Sequence, residues 1–167
     1  MSRTAILGMG VMGEALLSGL VRSGVSPSQI VFADRRDDRA AEITKKYGVN
    51  SDSITGAVAG AETVVLVVKP QDMGGLLEEI APLIKPTALV VSLAAGITTD
   101  FLQSRLPAGT PVVRVMPNTP ALVDKGMAAI SPGSHCDEQH LERAEQLLKS
   151  TGKVIRLAEK HQDAVTA

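Results

Sequence analysis

Thr4-Ala5-Ile6-Leu7-Gly8-Met9-Gly10-Val11-Met12-Gly13 is the stretch that decides the fold. A compact apolar run of strand length ends at Gly8. From Val11 to Ser23 the pattern turns helical, with Met12, Leu16, Leu17, Leu20 and Val21 among the small residues Gly13, Ala15 and Gly19. Gly24 and Pro27 then stop it. The glycines between strand and helix are spaced G-x-G-x-x-G. That spacing alone is weak, but here it follows a strand and opens a helix at the start of a βαβ unit. Gly8 permits a tight turn, Gly10 has no Cβ to hold off a pyrophosphate, and Gly13 lets the helix pack close to the strand. The helix N-terminus offers free N–H groups and the positive end of its dipole to phosphate. A glycine-rich turn without a ligand is the plainer reading, and the strand–turn–helix context outweighs it.

The pattern continues outward from this stretch. Strands are expected at Ile30–Ala33, Thr63–Val68, Ala88–Ser92, Pro111–Met116, Met127–Ser131 and Lys153–Leu157. Helices are expected at Asp37–Tyr47, Gln71–Ile80, Thr99–Leu106 (capped by Thr98 or Thr99) and Asp137–Ser150. The run Thr63–Val68 is continuously apolar and β-branched, as a parallel strand buried on both faces must be. Alternation at this spacing predicts an α/β fold. It is a Rossmann-type, doubly wound, mostly parallel sheet with helices on both faces.

In such a sheet ligands sit at the carboxyl ends of the strands. The second strand ends in Ala33-Asp34-Arg35-Arg36. An acid there bonds the ribose hydroxyls of NAD, whereas arginines there hold the 2′-phosphate of NADP. Both are present, so NAD and NADP stay open. Val68, Lys69 and Pro70 end the central strand; a cofactor or loop contact suits Lys69 better than Schiff-base chemistry. Ser92-Leu93-Ala94-Ala95-Gly96-Ile97 is small and rich in backbone, suited to approach by a flat ring. In Val115-Met116-Pro117-Asn118-Thr119-Pro120 two prolines fix a loop with Asn118 at its apex. Three strand ends with constrained segments favour a shared cleft over three unrelated turns. Cys136 and His140 stand four apart, but nothing completes a metal set around them, and surface roles suit His135, Cys136 and His140 better. His161 has no evident partner. No nucleophile elbow or P-loop pattern occurs in the sequence.

Composition narrows the function further. The chain has 167 residues, the size of one domain, and its 44% hydrophobic residues supply a core. A net charge of −1 offers no surplus to hold a phosphate backbone, which argues against nucleic acid. Phe32, Tyr47 and Phe101 are the whole aromatic complement, too few for base-stacking platforms. One cysteine excludes an intrachain disulfide and a thiolate metal cluster, and suggests a reducing compartment. The N-terminus reads as neither a secretory signal nor a membrane span, so a soluble, cytoplasmic protein is expected.

The segments AILGMGVMGEALLSGL, VVLVVKPQD, VVSLAAGIT, VVRVMPNTPALVDKGM and DAVTA resemble pyrroline-5-carboxylate reductase across essentially the whole chain. V-K-P, A-A-G-I-T and M-P-N-T-P-A, in that order, are far more specific than the glycine motif. The resemblance implies hydride transfer from NAD(P)H to the C=N carbon of 1-pyrroline-5-carboxylate, giving L-proline. It implies cofactor contacts at Leu7, Gly8, Met9, Gly10, Val11 and Met12, at Arg35 and Arg36, at Val68, Lys69 and Pro70, and at Ala94, Ala95 and Gly96. Asn118 matches the loop near the nicotinamide. Asp34 departs from an NADP site, since an acid there works against a 2′-phosphate, while the adjacent arginines support one. A cyclic imine takes its proton from solvent, so no side-chain acid is required and no catalytic residue is assigned.

In that family DAVTA leads into a Ser/Gly-rich loop and a helical domain of substrate contacts and dimer interface. The resemblance therefore predicts a dinucleotide-binding domain over residues 1–157 and the start of a linker or helix over 158–167. It predicts binding of NAD(P)H with little reductase activity by this chain alone, and a homo-oligomer for the longer enzyme. Rivals are another reductase with the same domain plan, of the β-hydroxyacid dehydrogenase or F420-dependent NADP reductase type, and a non-catalytic dinucleotide-sensing module.

Overall fold

A computed structural model describes residues 2–118 and 126–162. Four-residue apolar runs form the central strands because both of their faces are covered. These are β1 (Thr4–Leu7), β2 (Ile30–Ala33), β4 (Thr63–Leu66) and β5 (Leu89–Ser92), every residue of them buried. A two-residue strand β3 (Asn50–Ser51) lies beyond β2. The other side is extended by β6 (Val112–Met116), β7 (Gly126–Pro132) and β8 (Gly152–Arg156). The order is β3-β2-β1-β4-β5-β6-β7-β8. All neighbours run parallel except β6 and β7, which are antiparallel.

Among the described residues six α-helices cover the two faces: α1 (Val11–Arg22), α2 (Asp37–Tyr47), α3 (Ile54–Val58), α4 (Pro70–Ile80), α5 (Thr99–Arg105) and α6 (Glu138–Lys149). Strand alternation divides the core accordingly. Ile6, Phe32 and Val65 face Leu16, Leu17 and Leu20 of α1, Ile43 of α2 and Leu147 of α6. Leu7, Val64 and Leu66 face Met73, Leu77 and Ile80 of α4 and Leu102 of α5. The structure is the expected Rossmann fold.

Several boundaries differ from the sequence expectation. Val67 and Val68 leave the β4 ladder after Leu66, and Val67 N–H donates to the Leu7 carbonyl at 2.8 Å. Helix α4 starts one residue earlier, with Pro70 in the first turn, where its missing N–H is harmless. Strand β3 and helix α3 were not expected; both are too short to show a hydrophobic period. Where the start of a linker or helix is expected over 158–167, Glu159–His161 form a 3-10 turn, and residues 163–167 lie outside the described residues. Thr119 and Pro120 lie outside them as well.

The sheet order matters for the site. After β1 the chain crosses to α1 on one face, and after β4 it crosses to α4 on the other. Their carboxyl ends are neighbours, with Leu7 beside Leu66. This reversal of direction is where a doubly wound sheet opens a crevice.

Candidate dinucleotide site

The glycine loop shows why each glycine is needed. Gly8 has φ +102°, and a Cβ there would sit 2.5 Å from the Val67 carbonyl oxygen. At Gly13 a Cβ would collide with the Gly8 carbonyl oxygen, so the helix could not close on the turn. Gly10 is different. Its backbone is ordinary, with φ −78°, and a Cβ would meet nothing within 4 Å. The space above Gly10, at the N-cap of α1, is open in the way a pyrophosphate requires. The residues fit the group that the motif implies.

The loop is held from beneath. Gly8 N–H donates to the Ala33 carbonyl at 2.9 Å. Met9 N–H donates to Asp34 Oδ2 at 2.8 Å, and Arg39 Nε donates to the Met9 carbonyl at 2.8 Å. Arg39 is itself fixed by Glu14 at 3.0 Å and by Glu42 at 3.2 Å. The second Asp34 oxygen accepts from Arg36 N–H at 2.9 Å and from Arg36 Nε at 3.2 Å. Burial of Asp34 opposes its ionisation, but the donated N–H groups of Arg36 and Met9 outweigh it and hold the carboxyl below its ordinary value. Arg35 and Arg36 are exposed, and Arg35 reaches across to Asp72 of α4 at 3.3 Å.

A cleft of about 930 Å³ lies over this crevice. It brings together Leu7, Gly8, Met9, Gly10, Asp34, Arg35, Arg36, Val68 and Lys69 of the expected residues. Val11, Met12 and Gly13 stand beside it at the start of α1, and Pro70 at the start of α4. Ala94, Ala95 and Gly96 follow β5, two strands from β1, outside the cleft lining. Asn118 lies just past β6, where its Oδ1 accepts from Met127 N–H at 3.0 Å and ties β6 to β7. Sequence reading missed Asp52, Ser53, Gln71, Asp72 and Glu79 on the far wall, and Arg39 beneath the loop. The Ser53 cap, which accepts from Gly56 N–H at 3.1 Å, was a legible signal for that wall. Asp72 and Arg39 depend on pairings distant in sequence, with Arg35 and with the Met9 carbonyl.

Cys136 and His140 have local partners. The Cys136 thiol donates to the Val112 carbonyl at 3.0 Å, and burial pushes its pKa up. His140 Nδ1 accepts from Asp137 N–H at 3.0 Å in the capping box of α6. Among the described residues no three His, Cys, Asp or Glu side chains could jointly hold a metal ion.

A family model described as NADP oxidoreductase, coenzyme F420-dependent, matches residues 3–96, more than half of the chain. The chain belongs to this oxidoreductase family. The matched part runs from β1 through Gly96, so it contains the glycine loop and the whole cleft. A pyrroline-5-carboxylate reductase of Corynebacterium melassecola is 40% identical over 100% of this chain and 63% of its own length. The structure of a pyrroline-5-carboxylate reductase from Coxiella burnetii superposes with a TM-score of 0.95 at 28% identity, covering 99% of this chain and 62% of that one. That of a Plasmodium falciparum pyrroline carboxylate reductase with NADP bound gives 0.88 at 23% identity, over 99% and 61%, and supports the fold. The resemblance to pyrroline-5-carboxylate reductases thus extends along the whole chain. The chain spans about 60% of the length of these relatives.

Proposed function

We propose that this chain is the dinucleotide-binding part of a pyrroline-5-carboxylate reductase. The observation that carries the reading is an alignment of 40% overall identity that covers the whole chain, including the residues beyond 96 where the family match stops. Bound NAD(P)H would supply the hydride that reduces the C=N bond of 1-pyrroline-5-carboxylate to L-proline. The chain's own residues bind and orient. The N–H groups at Gly10 and the start of α1 receive the pyrophosphate, and Arg35 and Arg36 hold the 2′-phosphate of NADPH. Ala94, Ala95 and Gly96 offer backbone and small side chains to a flat ring, and Asn118 shapes the loop beside it. Residues 1–157 form the dinucleotide domain, and 158–167 begin the connection onward. The reading makes the longer enzyme a cytoplasmic homo-oligomer. A lone cysteine suits a reducing compartment, and the homo-oligomer is what the resemblance to the reductases implies.

The chain has no Trp, so nicotinamide emission reports binding without interference. Titration with NADPH and NADH is expected to saturate with both. Arg35→Ala should weaken NADPH about tenfold, some 1.4 kcal/mol, and leave NADH nearly unchanged. Failure to bind either cofactor overturns the site. For the reaction, the longer gene that encodes this chain joined to the remaining part found in the relatives should restore growth without proline to a bacterium lacking its own reductase, whereas the 167-residue chain alone should not. No growth with the longer gene despite its expression sinks that assignment. The family's description favours a second reading, NADP reduction by reduced coenzyme F420; loss of the deazaflavin's reduced spectrum on mixing with NADP would establish it instead.

A further inference from the structure

The Met9 peptide is gripped at both ends by side chains from the β2–α2 segment. Its N–H meets Asp34 Oδ2 and its carbonyl meets Arg39 Nε, each at 2.8 Å. The Met9 side chain is fully buried, so the peptide is fixed on a third side by packing. Arg39 is in turn held by Glu14 of α1 and Glu42 of α2, which locks its guanidinium in a fork between two carboxylates. Asp34 has little left to offer a ligand. One oxygen takes Met9 N–H and the other takes two donors of Arg36, and its side chain is 8% exposed.

We propose that Asp34 and Arg39 are positioning residues that preset the dinucleotide loop before ligand arrives, and that Asp34 does not select between NADH and NADPH. This deepens the reading of the cleft as a dinucleotide site and rests on it. An acid at the end of β2 discriminates against a 2′-phosphate only if it faces the ribose with free lone pairs. Here the carboxylate is turned under the loop, and it anchors Arg36 instead of opposing it. Discrimination falls to the exposed guanidiniums of Arg35 and Arg36. Presetting matters because a mobile loop would have to lose conformational freedom at each binding event.

The test compares Asp34→Asn and Arg39→Met with the unaltered 167-residue chain. Asn cannot replace Asp34, since it presents one acceptor where two sets of N–H donors require two. Two readouts are needed. In the ligand-free chain, the Met9 amide, which donates to Asp34, should exchange hydrogen about tenfold faster in both variants, while β1 and β4 stay protected. Unchanged exchange overturns the clamp. In titrations, both variants should lose affinity for NADH and NADPH by similar factors, with the NADPH-to-NADH ratio moving less than about threefold. A larger shift toward NADPH in Asp34→Asn, with loss of NADH binding, shows the acid to be a ribose selector and overturns the second half. Arg39→Met tests the clamp from the opposite side should Asp34→Asn not fold. If the unaltered chain binds neither cofactor, the site reading fails, whereas the exchange experiment still decides the clamp.

Discussion

At the scale of single residues, three glycines of one motif answer to three different constraints. Gly8 is demanded by its left-handed backbone and by the Val67 carbonyl, Gly13 by the Gly8 carbonyl, and Gly10 by nothing in the protein itself. Gly8→Ala should therefore cost about 2–3 kcal/mol of stability in urea denaturation. Gly10→Ala should leave stability within about 0.5 kcal/mol. It should nevertheless weaken NADPH binding about tenfold or more, because only the ligand competes for that space. Asp34 makes a pH-dependent contribution. Its folded carboxyl lies below the ordinary value of 3.8, so its stabilisation is complete above that value and is lost as pH falls through the lower folded one. In thermal melts across acid pH, Asp34→Asn should flatten this limb of the profile and leave the neutral-to-alkaline side parallel to the unaltered chain. The motif residues were legible because they are contiguous. Arg39 was not, since it lies 30 positions from the carbonyl it holds and reads as one more solvent-facing charge on an amphipathic helix.

At the scale of elements, the long amphipathic helices and the buried β-branched strands were legible because one period runs through each of them. Helix α6 also carries its own start signal. The Asp137 carboxylate accepts from His140 N–H at 3.1 Å while His140 Nδ1 accepts from Asp137 N–H, satisfying two donors that the helix leaves unpaired. Asp137→Ala should cost about 1 kcal/mol, and a calorimetric scan should show it as a melting-temperature drop of about 2–4 °C. Strand β3 and helix α3 were hidden by their length. Two residues cannot alternate visibly, and five do not complete two helical turns. They matter all the same, because Asp52 and Ser53, just after β3, line the cleft.

At the scale of the whole molecule, the strand order decides where a ligand can sit. Placing β1 between β2 and β4 sets the ends of three strands side by side, with α1 and α4 leaving on opposite faces. The segment after β8 is fastened to the same sheet by Glu159 and Gln162. The Glu159 carboxylate accepts from Thr99 N–H and Oγ1, both at 2.8 Å, and lies 3.4 Å from the Arg114 guanidinium, whose side chain is 4% exposed. Gln162 is buried and donates to Ser131 Oγ at 2.7 Å. The turn after β8 thus closes over β6 and β7. Glu159→Ala should lower stability by about 1.5–3 kcal/mol, since two charge-assisted hydrogen bonds from Thr99 and a contact with the buried Arg114 are removed. Urea denaturation measures it, and a loss under about 0.5 kcal/mol would show the turn to be loosely attached.

The sequence by itself determined the fold class, the glycine loop and the family resemblance, because each is written in neighbouring residues or in a regular period. Only the tertiary structure decided what Asp34 faces. Sequence placed that acid near a ribose position by its place at the end of the second strand, but position in the chain does not set a rotamer. Folding brings the Met9 N–H within 2.8 Å of one Asp34 oxygen and leaves the other to Arg36. A carboxylate with only 8% of its side chain exposed takes the donors that folding presents to it, and the Met9 N–H comes from 25 positions away in the sequence.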